Sequence, residues 1–187
     1  MKKETVLFAV VALVVGVLVG VIFTNARKDT RTAETAPIAA PPAVNMGQIN
    51  RLEEFVAKEP GNHNAWVQLG NAYFDANQPM KSIEAYDKAL AIEPDDPNVL
   101  TDQGVMFRKV GWFDKAVSNF EKAAKIDPTH IQSLFNLGIV YRYDLLDFAK
   151  AKEVWERYLK INPSGGGADQ VRSELEFIKN HPAPGGQ

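Results

Sequence analysis

The chain has 187 residues, 45% of them hydrophobic and 24% charged, with a formal net charge of −2. That balance is ordinary for one folded domain; it excludes a fibrous or wholly disordered class and lacks the excess of Lys and Arg on which nucleic-acid binding leans. The absence of cysteine excludes disulfides, thiolate metal sites, a cysteine nucleophile and lipid attachment through an N-terminal cysteine, so the compartment has to be read from the N-terminus.

From Thr5 to Thr24 the chain reads TVLFAVVALVVGVLVGVIFT, without a charge. As a helix, about 20 residues cover about 30 Å, the thickness of a bilayer core. Residues 5–24 are therefore expected to cross a membrane, with 1–24 as an uncleaved signal anchor. A cleaved signal peptide is the rival reading, but its apolar region usually runs about 7–15 residues, and Thr24-Asn25-Ala26 is a weak match to a cleavage site. Lys2, Lys3 and the amino terminus face Arg27, Lys28 and Arg31 across the span, so the positive-inside count is nearly balanced. The opening Met-Lys-Lys resembles bacterial signal anchors, which implies a single-pass inner-membrane protein with its N-terminus inside and the rest in the periplasm. Gly16 and Gly20 form a GxxxG pair, which is either a contact point for a homo-oligomer or filler in a Val-rich span. Residues 25–45 turn to Thr, Ala and Pro, with Pro37, Pro41 and Pro42, and cannot bury enough surface to offset ordering. They are expected to be a disordered tether with a reach of roughly 25 Å.

Beyond residue 46 the sequence repeats itself. Pro60, Pro94, Pro128 and Pro163 are spaced by 34, 34 and 35 residues. Between them stand Trp66-x-x-Leu69-Gly70-x-x-Tyr73, Leu100-x-x-Gln103-Gly104-x-x-Phe107 and Leu134-x-x-Leu137-Gly138-x-x-Tyr141. Their partners are Ser82-Ile83…Tyr86…Ala89-Leu90, Ala116-Val117…Phe120…Ala123-Ala124 and Ala151-Lys152…Trp155…Tyr158-Leu159. Apolar residues three and four apart make one stripe per helix, and the small residues at fixed places let paired helices approach. Each proline ends a second helix. Asn77 and Gly111 occupy equivalent turn positions suited to a left-handed residue, while Asn62, Asp96 and Thr129 are expected N-caps and Pro97 stands at a first helical position.

This pattern resembles the tetratricopeptide-repeat (TPR) family over residues 46–180, and the resemblance implies an all-α solenoid. Three helix pairs, about 63–96, 97–130 and 131–165, would be flanked by a leading helix carrying Leu52, Phe55, Val56 and Pro60 and a closing helix over Ala168–Asn180. Residues 181–187 are read as a tail. Three departures stand out: Gln103 in place of a Leu, one extra residue around Asp144–Asp147, and Tyr158 in place of a small residue. The first is expected to weaken a core contact, and the other two to mark a terminal repeat. The resemblance also implies a groove lined by the first helix of each pair. Carried over position by position, its residues are Asn64, Val67, Asn71, Phe74 and Asp75; Asn98, Thr101, Val105, Arg108 and Lys109; and Gln132, Phe135, Ile139, Arg142 and Tyr143. Arg108, Lys109 and Arg142 would offer positive charge to an acidic side chain or a C-terminal carboxylate. Some TPR chaperone adaptors grip a peptide carboxylate through Lys, Asn and Arg; only Asn71 agrees here, and Val67, Asp102, Gln132 and Asn136 do not.

Nothing in the chain assembles a catalytic, cofactor or metal site. His63, His130 and His181 lack the spacing of ligands on one helix and read as capping or surface residues. Gly165-Gly166-Gly167 lacks the Lys-Ser/Thr of a phosphate loop and is expected to be a flexible joint. Glu53-Glu54 and Asp95-Asp96 are solvated helix and turn charges. The resulting expectation is a non-enzymatic, membrane-anchored module that recruits or holds a partner polypeptide. Its layout resembles the TPR subunits of bacterial cytochrome c maturation, which are assembly factors. The alternative is a small structural subunit that stabilises a larger membrane complex.

Overall fold

The structure, a computed structural model, describes residues 46–181. The expected span at 5–24, the tether at 25–45 and residues 182–187 lie outside the described residues. Among those described, no helix is long and apolar enough to cross a membrane.

Among the described residues eight helices follow one another: α1 Met46–Lys58, α2 His63–Asp75, α3 Pro79–Ile92, α4 Pro97–Lys109, α5 Phe113–Ile126, α6 Ile131–Ile139, α7 Phe148–Ile161 and α8 Gly166–Asn180. The three pairs are α2/α3, α4/α5 and α6/α7, with α1 leading and α8 closing the stack. An all-α repeat solenoid is therefore the observed architecture. Each pair packs around the same device. Tyr86, Phe120 and Trp155 on the second helices are fully buried, and each lies against the glycine of its partner helix. A methyl group added at Gly104 would sit 2.6 Å from the Phe120 ring, and closer still to Tyr86 at Gly70 and to Trp155 at Gly138. The glycines thus admit an aromatic ring, which is why they recur with the repeat. Ser82 adds a hydrogen bond from its hydroxyl to the Gly70 carbonyl at 2.9 Å.

The turns within pairs use left-handed residues, Asn77 at φ 55° and Gly111 at φ 81°. In the third pair the extra residue is absorbed differently. After α6 the chain winds a π-helical turn over Val140–Asp144, in which the Leu145 N–H donates to the Val140 carbonyl at 3.0 Å. The left-handed position then falls on Leu146, at φ 55°. Asn62 and Asp96 cap α2 and α4. Thr129 does not cap α6: its N–H and hydroxyl both donate to Asp127 Oδ1, at 2.8 and 2.7 Å, and His130 takes the cap through Nδ1, 3.3 Å from the Ser133 N–H.

Gln103 forms a polar network where a core contact was expected to be weakened. It is buried, its amide nitrogen donates to Asp87 Oδ1 at 2.7 Å and to the Ile83 carbonyl at 3.3 Å, and its oxygen accepts from Asn119 at 2.8 Å. At the leading end, Ile49 and Val56 are the buried residues of α1, and Phe55 is exposed. The heptad-like offset of 49, 52 and 56 puts those three on one stripe and Phe55 off it. At the closing end, Gly165 is the N-cap of α8, and Gly166 and Gly167 are already helical, so the triple glycine is a helix start. The reason is Tyr158, whose hydroxyl lies 2.5 Å from where a Gly167 side chain would begin and accepts from Asn162 at 2.8 Å.

Candidate functional site

The first helices of the three pairs share one face of the stack. Val67 and Phe74 on α2, Val105 on α4, and Phe135 and Ile139 on α6 are partly buried and pack with one side against the core. Asn64, Asn71, Asn98, Lys109, Gln132 and Tyr143 are exposed, and Thr101 is buried. Half-exposed apolar groups at spacings of three and four, with amides between them, are surface on which a polypeptide's side chains and backbone can both be satisfied.

The half of this face between α4 and α6 is knitted together by its own side chains. His130 Nε2 lies 3.2 Å from Asn98 Oδ1 and its Nδ1 lies 3.5 Å from the Thr101 hydroxyl, which also donates to the Pro97 carbonyl at 2.7 Å. Further along, Arg108 forks onto the Asp144 carboxylate, with Nη2 to Oδ1 at 3.3 Å. Arg108 is therefore neutralised within the protein.

Arg142 is placed elsewhere. The π turn directs it toward the closing helix, where it is buried. Its guanidinium carbon stands 5.0, 4.5 and 4.3 Å from the ring centres of Tyr143, Phe148 and Phe177, and its Nε lies 3.6 Å from Glu174. Tyr143 donates to the same Glu174, which raises the tyrosine's pKa. Of the three cations expected in the groove, only Lys109 is exposed and unpaired among the described residues.

Between α2 and α4 the arrangement differs. The Tyr86 hydroxyl donates to Asn71 Oδ1 at 2.7 Å, and burial, then the Asp102 carboxylate, hold that phenol well above its ordinary pKa. Burial, with the charge of Asp96 nearby, pushes the Asp102 carboxyl up to about 6. In the sequence Asp102 stands out only as a mismatch to a carboxylate-gripping site, because the repeat pattern does not reveal its burial. His63 is buried too, its ring between Glu93 at 3.7 Å and Asp96 at 3.8 Å, in place of the capping or surface role expected. His181 stacks on Phe177 with ring centres 4.2 Å apart. Among the described residues no group of acidic and histidine side chains suits a metal ion.

A run of three alike helix pairs between a leading and a closing helix defines the class of helical repeat solenoids. Within that class the sequence matches models of the tetratricopeptide repeat at residues 63–96, 98–130 and 132–165, and the chain belongs to the tetratricopeptide-repeat family. No curated protein matches it significantly. Among solved structures it is similar to MamA, at 18% identity and a TM-score of 0.63, covering 72% of this chain and 86% of that one. The TPR domain of Sgt2 from Aspergillus fumigatus gives 24% identity and a TM-score of 0.56, over 67% and 86% of the two chains. The first TPR of Spaghetti (RPAP3), solved bound to the HSP90 peptide SRMEEVD, gives 21% and 0.59, over 65% and 96%. At these identities the likeness is one of fold.

Proposed function

We propose that this protein is a membrane-anchored TPR module whose inner face recruits or holds a partner polypeptide, acting as an assembly factor of the kind that serves cytochrome c maturation. The observation that carries the reading is the face itself. Val67, Phe74, Val105 and Ile139 stand half out of the core beside exposed Asn64, Asn71 and Gln132, an arrangement suited to a peptide and to no reaction. The uncharged stretch from Thr5 to Thr24 supports the anchor, and the opening Met-Lys-Lys supports a periplasmic domain in the bacterial inner membrane. The Spaghetti structure, with a peptide bound, supports the use of this fold for peptide capture.

Photo-crosslinking amino acids at Val67 and Ile139 of the full chain in native membranes test the reading. They are expected to trap one polypeptide that a crosslinker at Lys152, on an outer helix, does not. Equal trapping at all three positions, or none at Val67 and Ile139, sinks it. Because the chain has no cysteine, a single cysteine at exposed Ser118 reports the side of the membrane. Failure of an impermeant reagent to label it from the periplasmic side overturns the localisation.

A second reading, a structural subunit of a larger membrane complex, is favoured by the apolar surface at the distal end. Tyr143, Leu145, Leu146 and Phe177 are all exposed there. Under it, Leu146→Asp would release the protein from a complex of fixed stoichiometry, and changes on the inner face would not.

A further inference from the structure

Independently of the inner face, we propose that α1 is the second helix of an incomplete pair, and that the hollow beside it takes the missing first helix from a partner polypeptide. The occupant is an amphipathic helix with a large apolar residue at one position, an acidic residue two further on, and glycine or alanine at the third.

The repeat assigns α1 its place. Counting back 34 residues from α3, Ile83, Leu90 and Pro94 fall on Ile49, Val56 and Pro60. Ile49 and Val56 are buried in one cluster with Ala65, Leu69 and Tyr73 of α2, so α1 packs on the next first helix as a second helix does. Among the described residues no helix precedes it, and the side turned to a first helix of its own is uncovered. On α3, α5 and α7 the residue facing the glycine is a fully buried ring, and the residue three further on, Ala89, Ala123 or Tyr158, is buried too. On α1 these two positions hold Leu52, half-buried, and Phe55, 42% exposed. Gln68 on α2 is exposed, whereas its counterparts Asp102 and Asn136, each preceded by a complete pair, are half-buried. Between the two helices lies a hollow of about 500 Å³, lined by Arg51, Leu52 and Phe55 on one side and Asn64, Ala65 and Gln68 on the other. A helix that merely closed a solenoid would present a polar outer face, and Phe55 does the opposite. The chain carries no such first helix in register: 34 residues before Trp66, Leu69 and Tyr73 stand Thr32, Thr35 and Ala39, with Pro37 between. That sequence lacks the apolar stripe and holds a residue that breaks a helix interior.

The complete pairs show what fits. In the third, the Tyr158 ring centre stands 5.9 Å from that of Phe135, and Trp155 lies on Gly138, three residues after Phe135. In the second, Asn119 donates to the Gln103 side-chain oxygen at 2.8 Å, one residue before Gly104. Tyr158, Asn119 and Trp155 correspond to Phe55, Arg51 and Leu52. Carried to α1, these contacts set an apolar side chain on Phe55, an acceptor for Arg51 two residues later, and a small residue over Leu52 at the third. Leu52 is smaller than the rings it replaces, so alanine fits where the other pairs need glycine. Arg51 is the sole charge lining the hollow, which selects an acidic acceptor and rejects a basic one. A helix laid into an apolar groove is recognised through such spaced anchors.

Fluorescence anisotropy of a labelled peptide with the full chain in detergent micelles tests this. The peptide copies residues 131–143 with Leu137→Glu, which puts Phe, Glu and Gly at the required spacing. A hydrocarbon staple between positions 132 and 136, on the side turned away from the hollow, holds it helical. Saturable binding is expected, weakened about tenfold by Phe55→Ser, a change at an exposed position. The peptide with Leu137→Lys should bind about threefold more weakly than that with Leu137→Glu, and Arg51→Glu should reverse the order. Adding Gly138→Leu to the peptide should abolish binding, and Val105→Ala on the inner face should leave it unchanged. No binding, or binding indifferent to Phe55→Ser and Arg51→Glu, overturns the proposal, and loss in Val105→Ala reassigns the peptide to the inner face and overturns it as well. A dimer of the full chain that Phe55→Ser dissolves, read by light scattering, overturns it in favour of a second copy. Binding that appears only after residues 25–45 are replaced by glycine-serine repeats overturns it in favour of the chain's own segment.

Discussion

Gly138 of α6 lies directly beneath the indole of Trp155 on α7, and the indole N–H donates to the Phe135 carbonyl at 3.3 Å. A side chain at position 138 has to push aside a fully buried ring whose polar atom is already engaged. Gly138→Ala is therefore expected to destabilise the domain by about 1–3 kcal/mol, despite the better helix propensity of alanine. Gly61→Ala, where nothing lies within 4 Å, is the control and should leave thermal unfolding nearly unchanged.

Tyr158 packs against Gly167 of the closing helix, Asn162 at the end of its own helix and the Phe135 ring. Tyr158→Ala restores the small residue found at Ala89 and Ala123 but leaves a cavity, because the residue of α8 facing it is Gly167. A loss of about 3 kcal/mol is expected. Hydrogen exchange should accelerate first across Gly166–Asn180 and leave α2 to α5 protected; uniform acceleration would contradict the assignment of this contact to the closing helix.

Leu146 holds φ 55° with its side chain 63% exposed. A leucine in left-handed backbone costs about 1–2 kcal/mol, and packing returns little of it. Leu146→Asn, copying Asn77 at the equivalent turn, is expected to stabilise the domain by about 1 kcal/mol, seen as a higher urea midpoint at unchanged slope.

The folded state holds the Asp102 carboxyl at about 6, above its ordinary value of 3.8, through burial and the nearby charge of Asp96. A carboxyl raised by folding favours the folded state while protonated. Its contribution is fully present below about pH 4 and is lost as pH rises through about 6. The neutral variant Asp102→Asn should thus be more stable than the parent at pH 7, with the advantage vanishing by pH 4. Unfolding temperatures of both proteins across this window check the sign, and a constant difference would show that Asp102 is solvated.

Arg142 joins the π turn to α8 through Glu174 and three aromatic rings. Arg142→Ala is expected to destabilise the domain by about 3 kcal/mol by leaving Glu174 without its cation. Affinity for a groove-bound peptide should be unaltered once measured below the unfolding temperature. Weakened binding with unchanged stability would place Arg142 back among the groove residues.

The repeat was legible in the sequence because helix pairing is a local problem solved three times over. Gly70, Gly104 and Gly138 recur because an aromatic ring must fit against each, and Asn77 and Gly111 because the turn needs positive φ; such requirements rest on neighbours within one repeat. Asn62 and Asp96 were legible as caps for the same reason. For α6 the cap was expected at Thr129; His130, read as a capping or surface residue, takes it, and its ring is also engaged with Asn98 and Thr101 of the preceding pair.

By itself the sequence determined the all-α repeat, the places of its turns and the irregularity of the third pair, since short-range sterics leave few alternatives at those positions. Only the tertiary structure decided what the charged groups do. Arg108, Arg142 and Asp102 stand on helix faces that look equally solvated in a repeat pattern. Whether each is paired or desolvated depends on Asp144, on Glu174, and on burial near Asp96, which packing alone decides.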